Sequence, residues 1–166
     1  PERITALRTG AIAAGLAGPP DAKVLRQEGL KSLLDLTVLG DQAMINVAFA
    51  SERWMRENEA AVQAFVNAMI EAVHFAKTHR EFTERVISQY ARIDDPETLA
   101  DAYDYYILRN MPRVGWPSID DARRFLESQA ATDPRAVGAQ AEDFFDLRFI
   151  ERAVSSGLLE RLYGSQ

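Results

Sequence analysis

One run of apolar residues constrains this chain more than any other feature: Val62, Phe65, Val66, Met69, Ile70, Val73 and Ala76 recur at three- and four-residue spacing. A helix gathers those positions onto one side and sends Glu59, Gln63, Asn67 and Glu71 to the other. The pattern predicts a long amphipathic helix in the middle of the chain, whose stripe needs other elements to cover it. More helices follow it. One carries Phe82, Val86 and Ile87. The next opens at Asp95-Pro96, an N-cap followed by proline in the first turn, and carries Leu99, Tyr103, Tyr106 and Ile107. Pro112 and Pro117 interrupt the pattern. Ser118 with Asp121 three residues later has the spacing of a capping box and predicts a helix with Ala122, Phe125 and Leu126 inward. Asp133-Pro134 through Gly138 reads as a loop, and a last helix with Phe149, Ile150 and Val154 stops at Gly157.

The first fifty residues read differently. Ile4, Ala6 and Leu7 predict a short helix that Thr9-Gly10 ends, because glycine takes the left-handed conformation common at helix C-termini. The small apolar run AIAAGLA over 11–17 predicts a buried strand. Gly18, Pro19, Pro20 and Asp21 form the turn out of it, and a helix with Ala22, Val24 and Leu25 continues to Gly29. Leu33, Leu34 and Leu36 predict a second short strand, and the segment AMINVAFA over 43–50 a third. The fold expected is α/β but mostly helical.

Composition narrows the chemistry. The chain has 166 residues with 19 Lys and Arg against 25 Asp and Glu, a formal charge of -6. Its basic residues are scattered and form no stripe to neutralise phosphates, so nucleic acid is not an expected partner. With no cysteine, disulfides, thiolate metal sites and cysteine nucleophiles are excluded. No apolar run approaches the roughly 20 residues a membrane-spanning helix needs. His74 and His79, the two histidines, are five residues apart, whereas neighbouring ligands on a helix would be three or four apart, so no metal site is expected. The carboxylate pairs Asp94-Asp95, Asp120-Asp121 and Asp143-Asp146 fall where helices begin, and the helix dipole accounts for them. Ser155-Ser156 has no nucleophile-elbow context, and no phosphate-binding glycine pattern occurs. Tyr103 and Tyr106 are expected in the core, and Trp54 and Trp116 are expected to be packed. The feature singled out is the turn at 18–21. It would leave a strand at its carboxyl end and enter a helix, which is where open α/β sheets bind ligands.

The order of segments resembles a known family. The run Arg3-Ile4-Thr5-Ala6-Leu7-Arg8-Thr9-Gly10-Ala11-Ile12, then Pro19-Pro20, Glu28-Gly29-Leu30 and Leu33-Leu34-Asp35-Leu36, is similar to the opening of the C-terminal half of the nitrate/sulfonate/taurine-binding proteins. That group includes the binders of thiamine precursors. Ser51-Glu52-Arg53 before Asn58-Glu59-Ala60-Ala61-Val62, and Asp146-Leu147-Arg148-Phe149-Ile150 near the end, continue the resemblance over nearly the whole chain. Ala13 stands where the family usually has an acidic residue, and Glu59 where it often has proline.

The resemblance implies an extracytoplasmic or periplasmic solute-binding protein of type II-like fold, serving an ABC importer and its membrane permease. The ligand would be a small polar or anionic molecule such as a sulfonate, nitrate, taurine or a pyrimidine precursor, held between two lobes. Residues 1–42 would then belong to the second α/β lobe, 43–50 to a hinge strand, and 51–166 to helices returning to the first lobe. Gly18, Pro19, Pro20 and Asp21 would face the cleft, with Asn46 of the hinge strand as a further polar contact. No cofactor and no enzymatic step are expected, since the cysteine-rich motif of the pyrimidine-synthesising branch is absent. The alternative is a helix-rich sensor or protein-interaction domain derived from the same fold. The chain is also expected to be a piece of a longer protein, which would leave Met44, Val47, Phe49 and the stripe from Val62 to Val73 to pack against another copy or the missing segment.

Overall fold

A computed structural model describes residues 2–35 and 47–164. The described chain is mostly helical: α1 (Glu2–Arg8), α2 (Pro19–Gln27), α3 (Glu52–Glu57), α4 (Glu59–Thr78), α5 (Arg80–Ala91), α6 (Pro96–Tyr103), α7 (Ile119–Ala130), α8 (Arg148–Ser155) and α9 (Leu158–Tyr163). A π-helical stretch (Asp104–Arg109) and two short 3₁₀ turns (Pro134–Ala136 and Ala141–Phe144) complete it. No helix among the described residues is long and apolar enough to cross a membrane. The chain divides into two compact units, one of Pro1–Leu36 with Phe75–Pro112, the other of Thr37–His74 with Arg113–Gln166.

In the first unit the packing centres on Tyr103, which is 1% exposed. Its hydroxyl donates to the carbonyls of Ala76 (3.0 Å) and Lys77 (3.2 Å), while the hydroxyl of buried Thr83 donates to Ala76 (3.1 Å) and His79 (3.0 Å). The last carbonyls of a helix have no partner within it. Here α5 and α6 supply that partner to the end of α4, and so hold three helices in register. Lys77 repeats the device, donating to Ile107 (2.6 Å) at the end of the π-helical stretch. Arg80 bonds Glu84 at 2.7 Å, reaches Asp104 at 3.0 Å, and lies over the Tyr103 ring.

The second unit is built on the opposite stretch of α4. Buried Ile70 meets Ala153 and Leu158, with Val66, Leu159 and Leu162 packed around them. Gln63 donates to the Phe149 carbonyl (2.9 Å), and Glu59 lies 3.3 Å from Arg148 and 3.4 Å from Arg152. The glycine at 157, with φ of 74°, separates α8 from α9 and lets both fold back on α4. Ala122 of α7 and Ala141 are also buried, and Arg123 pairs with Glu142.

The two expected caps form, Asp95 accepting from the Thr98 amide (2.7 Å) and Ser118 from Asp121 (3.2 Å), and Ser51 caps α3 by accepting from Trp54 (3.3 Å). Gly29, at φ 90°, ends α2, with Leu30 N–H donating to Leu25 O at 3.0 Å in a Schellman closure.

Several expectations are corrected. No strand occurs among the described residues, so the α/β component is not found there and the helical part of that expectation is what stands. Residues 11–17 are bends and irregular backbone. The physical reason lies at their start: Ile12 N–H is spent on Ala6 O (3.3 Å) and Gly10 N–H on Leu7 O (3.2 Å), which closes α1 and takes these amides out of any ladder. Leu33 and Leu34 are irregular and exposed, 84% and 59%. Of the third segment, residues 43–46 lie outside the described residues and 47–50 carry no regular structure. Tyr106 is not core but 44% exposed, because the wider i→i+5 turn after Tyr103 carries it off the helix face that Tyr103 buries. Trp54 and Trp116 are each about half exposed, at 47% and 48%.

The apolar stripe of α4 splits in two. Ile70 is buried and Val62, Val66 and Val73 are half-buried, whereas Phe65 and Met69 are 51% exposed each. Val47 and Phe49 are exposed as well, and Met44 lies outside the described residues.

Candidate functional site

The turn at 18–21 opens α2. Gly18 is its N-cap in extended conformation, with no side-chain bond to the helix, and Pro19 and Pro20 occupy the first helical positions. Ala22 N–H donates to Gly18 O at 2.8 Å, the first bond of the helix. Asp21 stands in the first turn and is exposed. Asn46, expected beside it, lies outside the described residues.

The π-helical stretch brings a residue to this turn that sequence reasoning assigned to the core. A methyl group placed on Gly18 would lie 3.1 Å from the Tyr106 hydroxyl, a tight contact that a small shift of that side chain would relieve. Tyr105 meets the Tyr106 ring edge to face, centroids 5.1 Å apart. Burial raises the Tyr106 pKa, helped by Tyr105 and the Asp21 carboxylate. The available sequence signal was the cluster of three tyrosines at 103, 105 and 106. Ordinary helical spacing put Tyr103 and Tyr106 on one face and hid the distinction.

Two basic side chains near the turn already have partners. Lys23, one turn along α2, lies 2.9 Å from both Glu97 and Asp101 of α6; the angles fall short of hydrogen-bond geometry, so these contacts are ionic. Partial burial works against its charge, but the pull of Asp101 and Glu97 outweighs that and raises its pKa. Arg8 at the end of α1 bonds Glu28 at 2.7 Å, which raises its pKa, with Asp21 adding a smaller electrostatic contribution.

The concave features described lie elsewhere, not at this turn. Glu81, Glu84, Arg85, Ser88, Gln89 and Leu99 border an open depression of 570 Å³ in the first unit. In the second unit Glu52, Met55, Arg56, Phe144, Phe145 and Arg148 border a groove of 440 Å³. Its charges are largely engaged: Arg56 with Glu52 (3.2 Å), and Arg148 with Asp146 (2.7 Å), whose carboxyl is held low by that guanidinium. His74 meets Tyr163 edge on (4.7 Å) and His79 stacks on Phe75 (3.8 Å), so each imidazole is committed to an aromatic neighbour. Among the described residues no group of acidic and imidazole side chains is arranged to hold a metal ion. Family models, curated proteins and solved structures were all compared with the chain, and none matches it.

Proposed function

We propose that the chain is part of an extracytoplasmic solute-binding protein of an ABC importer, of type II-like fold, resembling the nitrate/sulfonate/taurine binders. The protein would close on a small polar molecule and present it to a membrane permease, with no bond made or broken. The order of sequence segments supports this reading. One structural observation carries it to a site: the turn at 18–21, which the resemblance sets at the cleft, bears an exposed carboxylate at Asp21 with the Tyr106 hydroxyl alongside. An exposed carboxylate and a phenol hydroxyl at a helix start offer polar groups to an outside partner. Titration calorimetry of the full-length protein with nitrate, alkanesulfonates, taurine and aminopyrimidines is expected to give saturable heats for at least one. Silence across a broad metabolite panel would overturn the proposal.

A second reading has its own observation. Phe65 and Met69 stand half exposed on α4, four residues apart, together with exposed Ala61, Ala68 and Ala72. Apolar surface of that kind suits a helix-rich sensor or interaction domain. Affinity capture that returns a regulatory protein and no permease subunit would favour it over solute binding.

A further inference from the structure

We infer that the outward face of α4 pairs with the same face of a second copy of the chain, the two helices running antiparallel; this rests on the second reading above, in which that face is an interaction surface.

α4 is a helix whose solvent side lacks charge. From 60 to 76 its one charged residue is Glu71, whereas α5, α7 and α8 each carry three to five within 8 to 12 residues. A helix that is apolar on every side is normally covered on every side. Within the second unit the inward side is covered, since Ile70 is buried against Ala153 and Leu158 with Val66 beside it. The outward side is not. Ala61, Ala64, Phe65, Ala68, Met69 and Ala72 are all exposed there, Phe65 and Met69 at 51% each. Ala61, Phe65, Ala68 and Ala72 follow one another at alternating four- and three-residue steps, the spacing of a seam between two packed helices.

This seam complements itself in one direction. With two copies of α4 antiparallel about a two-fold axis midway between Ala68 and Met69, Phe65 falls level with Ala72 of the second copy, and Met69 with Ala68. A large side chain then always meets a small one. A parallel pair would set Phe65 on Phe65 and leave alanines facing alanines across a gap. Alanine at 61, 64, 68 and 72 also allows the close end of the usual helix separations, about 8 Å. Charge selects the same occupant. The one charged group, Glu71, lies at the edge of the face, so an acidic or basic partner finds little to hold it, and a second copy is as apolar as the first. The 20 residues of α4 give a strip about 30 Å long and about 10 Å wide. That is on the order of 300 Å² per copy, well below the roughly 800 Å² each partner buries in a standard stable complex. The dimer expected is therefore weak and reversible.

The test is sedimentation velocity of the chain across the micromolar range, repeated on the full-length protein. The expected result is a monomer–dimer equilibrium in both. For the chain it should strengthen as salt is added, because two copies that each carry a formal charge of -6 repel. Phe65→Glu should weaken the dimer more than about tenfold and Met69→Ala by a smaller factor. Far-UV circular dichroism should not change for either variant, because both side chains stand half exposed. Direction is read by oxidising single cysteines in a chain that has none of its own. Two Ala68→Cys copies meet at the two-fold axis and should crosslink. Two Ala61→Cys copies would lie roughly 22 Å apart along the helix, beyond the about 7 Å that a disulfide spans, and should not. The inference is overturned if the full-length protein stays monomeric, if Phe65→Glu leaves the dimer unchanged, or if Ala61→Cys crosslinks as readily as Ala68→Cys. A monomer that loses a bound regulatory protein on Phe65→Glu overturns the self-pairing and leaves the interaction-domain reading standing. A monomer in which Phe65→Glu changes no association takes both down.

Discussion

The helices around Tyr103 and the segments at 11–18, 31–35 and 47–50 hold comparable apolar side chains but put them to different use. Tyr103, Ala102 and Ile107 are buried, at 1%, 1% and 8% exposure, whereas Leu16, Leu33 and Phe49 stand 61%, 84% and 91% exposed. Hydrophobicity does not separate the two groups. A helix closes its backbone bonds within itself and needs only one covered stripe. An extended segment needs a neighbouring strand for its N–H and C=O groups, and among the described residues none provides one. The contrast separates structure fixed by nearby residues from structure that depends on a partner surface.

The largest expected effect breaks the ordered side of that comparison. Tyr103→Ala removes the most buried large side chain of the first unit and leaves the carbonyls of Ala76 and Lys77 without their hydroxyl donor. Loss of a buried aromatic ring costs about 3–5 kcal/mol. Tyr103→Phe keeps the ring and should cost about 1 kcal/mol, the net worth of one buried hydrogen bond. Urea unfolding of both variants checks the split. Equal losses would mean that the hydroxyl, not the ring, holds α4, α5 and α6 together.

Capping gives a smaller and more local test. Ser118→Ala removes the acceptor for the Asp121 amide at the start of α7 and should cost about 1 kcal/mol, read from the same urea midpoints. At α6 the cap is ionised. Thr98 holds the Asp95 carboxyl below its ordinary range, through its side chain and its amide. A carboxyl whose folded pKa is depressed contributes stability that is complete above its unfolded pKa, about 4, and is lost as pH falls through the folded value. Acid titration followed by circular dichroism should therefore show a shallower loss below about pH 4 in Asp95→Asn than in the parent.

Both caps were legible from single residues: Asp95 before Pro96, and Ser118 three places before Asp121. So were the helix stops at Gly29 and Gly157, since a left-handed backbone is a local demand. The strand expected over 11–17 failed because Ile12 and Gly10 give their amides to the end of α1, a closure that apolar patterning does not encode. Tyr106 failed in a similar way. Three- and four-residue spacing assumes an α-helix, and the change to i→i+5 bonding after Tyr103 alters which side chains share a face. Of the site, Gly18 and Asp21 were readable as a helix entry. Tyr106 was not, because its approach to Gly18 joins residues nearly ninety positions apart.

The smallest expected effect tests the other side of the comparison. Leu33→Ser and Phe49→Ser replace apolar side chains that are 84% and 91% exposed in segments without regular structure. Little buried area is lost in either case, and surface substitutions away from caps and cores usually stay within about 0.5 kcal/mol. Each variant is expected to unfold at the parent's urea midpoint when measured as the isolated chain. A destabilisation above about 1 kcal/mol, twice the surface norm, would show that these segments bury their side chains in solution. The measurement should be repeated across a range of protein concentrations. A loss that appears only at high concentration identifies another copy of the chain as the covering surface, because association stabilises by mass action. A loss that does not vary with concentration places the cover within the chain, and the contrast drawn with Tyr103 would then be one of degree.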